Sequence, residues 1–380
     1  MYTSMMRKAM LGDTATLNLD FTTGVLDSRL TFTRSGTGTY INSSGYVTTA
    51  STNVARFEYD PATLAIRGLL IEGSATNLLN WSETFATTGG TNNNWADTNL
   101  TRTSTNNTSP RNDATALQIT ASAGNGTIIS SAAIGTSASR TLSVWLRRVT
   151  GTGNIQYTLD NGTNWTTQVI TSSWVRYSFA ATTAAQRVGF RIVTSGDAIE
   201  VWGAQLEAGS GATSYISTSA SQVTRNADEC TATGSNFSSW WPLSQSAFTV
   251  YWDGDISRSP ANAQFYWLTR AGGSSRSRGY VTTGSLIRAN NTAYDFTMSP
   301  TTSMTVGTRF KSAVAISSGS SAMYANNSTV TGSDTSAGAV TLFDADSLNF
   351  NPNAENFMHI RAFKFYNTRL TNAELLALVS

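Results

Sequence analysis

The sequence has one cysteine, Cys230, and one histidine, His359. A single thiol forms no internal disulfide, and it leaves the redox compartment open. A single imidazole excludes a metal centre built from several histidines. A nucleophilic triad around it has little support, because His359 lies in the strand-like run FMHIRAF. Charge is scarce too: Asp, Glu, Lys and Arg make up 13% of the 380 residues, against roughly a quarter in an average soluble domain. The 25 basic and 23 acidic residues nearly cancel, at +2, and form no basic block. A nucleic-acid partner therefore has no electrostatic footprint. No apolar run reaches the ~18 residues of a membrane-spanning helix, so no membrane insertion is expected. The opening MYTSMMRKAMLGD has Arg7 and Lys8 but no apolar core behind them, and reads poorly as a secretory signal. Long runs of helix formers are missing as well.

What is present is Thr, Ser, Gly and Asn in quantity, with 10 Trp, 13 Tyr and 16 Phe supplying apolar bulk. A hydroxyl- and amide-rich surface over aromatic cores suits an all-β protein. Residues 1–75 read as an extended, β-rich entry segment without a continuous core pattern. It is expected to lie against a later domain or a neighbouring subunit. Residues 76–225 carry some eight short strands. In Leu142, Val144 and Leu146, and again in Val188, Phe190 and Ile192, apolar residues recur with period two, which gives one buried and one wet face. Asn161-Gly162 marks a tight hairpin. This is the pattern of a two-sheet jelly-roll sandwich. Trp165 and Trp174 fall in strands and are read as core. Residues 226–380 repeat the theme, with a turn or bulge expected near Gly307. They close with LTNAELLALVS, where Thr371 and Glu374 form a capping box for a short helix.

Several of these stretches carry a resemblance. LTFTRSGTGTYINSSGYVTTASTNVARFEYDP and RGLLIEGSATNLL look like the entry segment of bacteriophage tail-fibre and minor virion structural proteins. VWGAQLEAGSGATSYISTSASQVTRNAD resembles the end of a carbohydrate-binding-like module of that group. AFTVYWDGD and IRAFKFYNTRLTNAELLAL are similar to a concanavalin-A-like (laminin-G-like) lectin sandwich. The resemblance implies tandem sandwiches, the first carbohydrate-binding-like and the second concanavalin-A-like. It implies a non-enzymatic virion protein of the tail fibre, the baseplate or, less in keeping, the head surface. Its partners would be other virion proteins and copies of itself, a trimer by analogy with fibres. The alternative is a lectin-like protein that binds host cell-surface glycans.

A glycan site pairs an aromatic face with amides or carboxylates. Trp81, Asn94 and Trp95 lie in polar, loop-like text and are candidates, against the plainer reading of a packing or subunit-contact tryptophan. Trp240 and Trp241 precede Pro242. In an extended stretch adjacent side chains point opposite ways, so one indole would fill the core and the other face out. Lectin-like sandwiches of the concanavalin type hold Ca²⁺, a hard cation that seeks several oxygens. Asp253 with Asp255, and Asp344 with Asp346, are the candidate pairs; the alternative is turn carboxylates capping backbone amides. A glycoside hydrolase needs two facing carboxyl groups. Glu58, Glu72, Glu83, Glu200 and Glu207 are isolated, and no Glu-x-Asp-x-x-Glu run occurs. No catalytic residue is assigned, and no cofactor is expected other than Ca²⁺.

Overall fold

The computed structural model describes residues 14–380, apart from 86–94, 105–107, 131–137, 184–186, 243–244, 259–262, 271–275, 282–286, 292–295, 299–303, 327–330, 337–343, 353 and 355. The fold is all-β and divides into two compact units. The first comprises Met1–Gly45, Ala50–Ser74 and Asn226–Ser380; the second comprises Tyr46–Thr49 and Ala75–Arg225.

The first unit is a sandwich of two antiparallel sheets. One sheet runs Thr331–Ser336, Ser321–Asn326, Phe310–Ser317, Ala247–Arg258, Phe357–Tyr366, Ile66–Glu72 and Arg56–Tyr59, with Leu17–Asp20 also paired to Phe357–Tyr366. The other runs Thr31–Thr33, Glu229–Thr233, Ser347–Asn349, Ala263–Thr269, Arg276–Val281, Ile287–Asn291 and Phe296–Met298. The strands Leu17–Asp20, Thr31–Thr33, Arg56–Tyr59 and Ile66–Glu72 are thus members of these two sheets, and this part of the entry segment lies, as expected, against residues of the later domain. The reason is physical. Leu17 and Leu19 alternate with outward residues, and with Leu69 and Ile71 they bury in one core with Trp252, Phe350, Phe363 and Phe365. These short strands have no core of their own, and they complete one that the last third of the chain leaves open.

Backbone geometry adapts to this pairing. Asp253 pairs with Ala362 and Gly254 with Ile360, so Arg361 is the extra residue of a bulge. Gly68 sits against it at φ 118°, and a Cβ there would lie 2.2 Å from the Ile360 carbonyl oxygen. No other residue fits. Gly307, at φ 76°, forms a turn before Phe310–Ser317 begins. The helix Asn372–Val379 has the expected capping box: Thr371 Oγ1 accepts from Glu374 N and the Glu374 carboxylate accepts from Thr371 N. Its Leu375, Leu378 and Val379 cover Tyr251, Ala313 and Ala322 on the outer face of the first sheet.

The second unit is a sandwich of two five-stranded antiparallel sheets. The first is ordered Val175–Thr183, Ala138–Thr150, Ala198–Ala208, Leu117–Ala121, Leu100–Ser104; the second is ordered Thr166–Gln168, Ile155–Thr158, Gly189–Ile192, Gly126–Ser130, Trp95–Thr98. The chain passes repeatedly from one sheet to the other, as in a jelly roll. Leu142, Val144, Leu146, Val188, Phe190 and Ile192 all bury in the core between them. Asn161 and Gly162 both take positive φ, 62° and 79°, in the hairpin before Thr166–Gln168. Trp165 and Trp174 are not core: both are half-buried. Arg191 lies over the Trp165 ring at 4.5 Å and Arg147 over Trp174 at 4.9 Å. An indole with one face on the sheet keeps its other face for a guanidinium.

Candidate functional site

The tryptophans read as sugar platforms are mostly interior. Trp240 and Trp241 are each 3% exposed and pack on Phe237 and Phe365 at centroid distances of 4.5–5.4 Å. The premise of an extended stretch fails. Gly234–Ser238 is a helical turn, and the amides of both tryptophans donate to the Phe237 carbonyl, so both rings reach the same core. Trp95 is also buried, tilted on Phe85 at 5.0 Å. A covered ring has no face for a sugar. Trp81 is half-buried at φ 57°, its carbonyl accepting from Trp95 Nε1 at 3.4 Å. Asn94 lies outside the described residues.

The carboxylate pairs are placed as follows. Asp253 and Asp255 share the outer face of Ala247–Arg258, but each already faces a cation. Arg309 grips Asp253 through Nε at 2.6 Å and Nη2 at 2.5 Å. Asp255 lies 3.0 Å from His359 Nδ1 and 3.1 Å from Arg67 Nη2. Asp344 pairs with Arg270 at 3.0 Å, while Asp346 is exposed and its amide donates to the Thr269 carbonyl. Among the described residues no group of three or more His, Cys, Asp or Glu is placed to hold a metal ion.

The polar residues of the distinctive motifs form buried clamps. In the first unit Asp228 accepts from Arg34 Nη1 at 3.2 Å, from Arg56 Nη2 at 2.5 Å and from the Glu72 amide at 2.8 Å. Arg56 Nη1 also meets Glu72 at 2.8 Å, and Arg34 donates to the Ser51 carbonyl at 2.8 Å. All four side chains are essentially without solvent. These are the Arg of LTFTR, the Arg of ARFEY, the Glu of LLIEG and the Asp of TRNAD. In the second unit Asn77 donates to Ala204 O at 3.2 Å and Ile216 O at 2.8 Å and accepts from the amides of Leu79 and Leu206, both at 3.1 Å. Glu207 accepts from Gln205 Nε2 at 2.7 Å, Thr213 N at 2.9 Å and Thr213 Oγ1 at 2.6 Å. The Asn of TNLL and the Gln and Glu of GAQLEAG thus fasten the strap Thr213–Ile216.

A third cluster holds the lone histidine. His359 is buried, with Nδ1 on Asp255 and Nε2 on Glu58 at 2.6 Å. Burial would push its pKa down, but Asp255 and then Glu58 outweigh that and raise it to about 9. Burial likewise acts to raise Glu58 and Asp255, and the imidazolium overrides it and holds both below the usual carboxylate range. A cation flanked by two ionised acids at neutral pH is a fastening, not an acid–base pair poised to transfer a proton. Cys230 is buried, and burial pushes its thiol far above the ordinary range, away from reactivity.

A cleft of about 230 Å³ opens on the outer face of the first unit's first sheet, beside Leu378 of the helix. Three neighbouring strands supply it from their solvent-side positions. Asn18 is in register with Lys364, and Lys364 with Tyr251; Asp20 is in register with Ala362, and Ala362 with Asp253. Their alternates Leu19, Phe363, Phe365 and Trp252 fill the core. Arg309 forms one wall, and the bulge turns Arg361 onto the same face. Asp20 Oδ1 is used locally, accepting from Thr22 N at 2.9 Å and Thr22 Oγ1 at 2.6 Å. Burial and the Asp253 charge raise Tyr251 far above a free phenol, so it stays a neutral hydroxyl. None of Asn18, Tyr251, Arg309, Arg361 or Lys364 stands out in the sequence. The available signal is that Asn18, Tyr251 and Lys364 are outward positions of period-two strands; nothing announces Arg361, whose direction depends on the bulge.

No family model matches this sequence, and no curated protein does. Solved structures similar to it include the CBM40 module of the Ruminococcus gnavus IT-sialidase bound to α2,6-sialyllactose (13% identity, TM-score 0.30, 36% of this chain and 84% of that one). Others are a truncated AlyQ with CBM32 and alginate lyase domains (10%, 0.27, 67% and 92%) and the LG1-3 region of the laminin α2 chain (9%, 0.28, 64% and 65%). At these scores the likenesses carry no argument about function, and the sandwich assignment rests on the sheets themselves.

Proposed function

We propose that this chain is a non-catalytic structural protein of a bacteriophage particle, carried on its tail and assembling with copies of itself. The observation that supports this reading is the use made of the motif residues. Arg34, Arg56, Glu72, Asp228, Asn77, Gln205 and Glu207 are buried and hydrogen-bonded to neighbouring strands and loops. The stretches that resemble phage tail proteins therefore specify architecture. His359 and its two acids are locked in the same way. The test is antibody labelling of purified particles from the encoding phage under the electron microscope. Label along the tail is expected; particles free of the chain by mass spectrometry would sink the reading. Light scattering of the purified chain checks the trimer, at three times 40.6 kDa.

A second reading, capture of host-surface glycans, is favoured by one observation, the cleft between Asn18, Lys364, Tyr251 and Arg309. It mixes hydroxyl, amide, carboxylate and cation at the scale of a small polar ligand. A glycan array probed with the full chain tests it.

A further inference from the structure

We propose that the edge strand Val175–Thr183 of the second unit pairs with the same strand of a second copy of this chain, antiparallel and about a two-fold axis at Phe179. The proposal rests on the self-assembly in the first reading above and gives it a place and a geometry.

The edge itself comes first. Val175–Thr183 ends its sheet, and among the described residues its one strand partner is Ala138–Thr150. An open edge is a row of backbone donors and acceptors ready to pair with another chain. Proteins blunt such edges by keeping them short, charged, bulged or broken by proline. None of these devices is used here. The strand has nine residues, whereas the other strands that end the sandwich sheets have three to six. Its pairing with Ala138–Thr150 runs without a register shift, so no bulge turns it away. The run VRYSFAATT holds no proline, glycine or lysine and a single charge, Arg176. That guanidinium is drawn onto its own unit and does not guard the edge. It lies over the Trp145 ring at 4.5 Å and donates to Thr213 O at 2.6 Å and Ser143 Oγ at 2.9 Å.

The side chains along the edge come second. On the core face Phe179 is buried, stacked on Tyr157 at 3.6 Å. Its neighbours on that face are less well covered: Tyr177 and Ala181 are half-buried, and Val175 is 37% exposed. On the other face Ser178, Ala180 and Thr182 are exposed. Third, the run is complementary to itself, and this names the partner. Turned about Phe179, it sets Tyr177 opposite Ala181 of the second copy, large against small. Ser178 then faces Ala180, Arg176 faces Thr182, and Phe179 lies beside its own copy as an aromatic cross-strand pair. No like charges meet, which is the condition for a stable register. A contact along one strand edge belongs with the small, transient interfaces below roughly 1,200 Å², so association depends on concentration.

The test is sedimentation velocity of the full chain at rising concentration. Alone, the contact gives a dimer of twice 40.6 kDa; beside a three-fold fibre contact it joins trimers in pairs. A double variant, Ser178→Lys with Ala180→Lys, sets lysine against lysine across the axis and is expected to weaken association at least tenfold. Ser178→Glu with Ala180→Glu should act likewise, and an equimolar mixture of the two variants should associate again. Both positions are exposed, and circular dichroism checks that each variant is folded. Alternate amides of Val175–Thr183 should exchange more slowly as concentration rises. A wild type that stays monomeric, or purely trimeric, at every concentration overturns the proposal. So does association that the lysine variant leaves unchanged, or a mixture that fails to recover. Label on the phage tail with no such pairing in solution would refute this contact and leave the virion reading standing; particles free of the chain, with the pairing intact, would do the reverse.

Discussion

Replacing His359 by leucine removes the imidazolium held between Glu58 and Asp255, and its consequence can be worked out with sign and size. The folded-state pKa of His359 is about 9, against an ordinary 6.5. A raised pKa means that the folded state holds the proton more tightly than the unfolded chain does. The stabilisation is therefore complete below pH 6.5 and is lost as pH rises through 9. At 1.36 kcal/mol per pKa unit the gap corresponds to about 3 kcal/mol. His359→Leu should then cost about 3 kcal/mol at pH 6, in keeping with the ~3–5 kcal/mol of breaking a buried ion pair, since Arg67 alone is left to serve both acids. The assay is urea unfolding of wild type and variant at pH 6, 8 and 10. It is followed by tryptophan fluorescence and fitted with separate transitions for the two units. The difference between the proteins should fall from pH 6 to pH 10, in the first unit's transition alone. A cost below 1 kcal/mol at pH 6, or one that does not change with pH, would refute the charge assignment.

Three further outcomes follow from the clamps and the bulge. Asp228→Asn leaves Arg34 and Arg56 buried without their shared counter-charge and should cost about 3–5 kcal/mol, read as a lower urea midpoint of the first unit with an unchanged slope. Asn77→Ala removes four hydrogen bonds inside the second unit. With about 1–3 kcal/mol for each buried group left unsatisfied, a loss of at least 2 kcal/mol is expected, together with faster amide hydrogen exchange at Leu79 and Leu206, whose amides donate to Asn77. Gly68→Ala drives a Cβ to 2.2 Å from the Ile360 oxygen. It should destabilise the first unit by several kcal/mol, whereas Gly36→Ala, with open space around it, bears only the cost of its positive φ, about 1 kcal/mol; equal effects would mean the close approach is not real.

Much of the fold is legible in the sequence, because local rules decide it. Period-two runs such as Val188, Phe190 and Ile192 declare their faces, Asn161-Gly162 its turn and Thr371 with Glu374 its cap. What is not legible depends on partners far away along the chain. Leu17 lies opposite Phe365, and no local pattern in LNLD says so. His359 meets Glu58 across 301 residues and Arg56 meets Asp228 across 172, so the isolation of these acids along the chain says nothing of their isolation in space. The expectation for Trp240 and Trp241 fails because a helical turn takes the place of the assumed extension. The cleft residues are hidden for a related reason: Asn18, Tyr251 and Lys364 come from three distant segments that are adjacent only after the sheet forms.

The pairing of Leu17–Asp20 with Phe357–Tyr366 also orders events at the ribosome. The second unit has all of its strands once residue 225 has been made. The first unit's opening strand must wait for a partner made some 340 residues later. At about 5–20 residues per second that is a delay on the order of tens of seconds. Throughout it Leu17, Leu19, Leu69 and Ile71 have no finished core to enter. The low charge and the abundance of Ser, Thr and Asn around those strands then act on the nascent chain as much as on the mature one. The Ser, Thr and Asn side chains meet water while the half-sheet waits for Phe357–Tyr366 to pair with it.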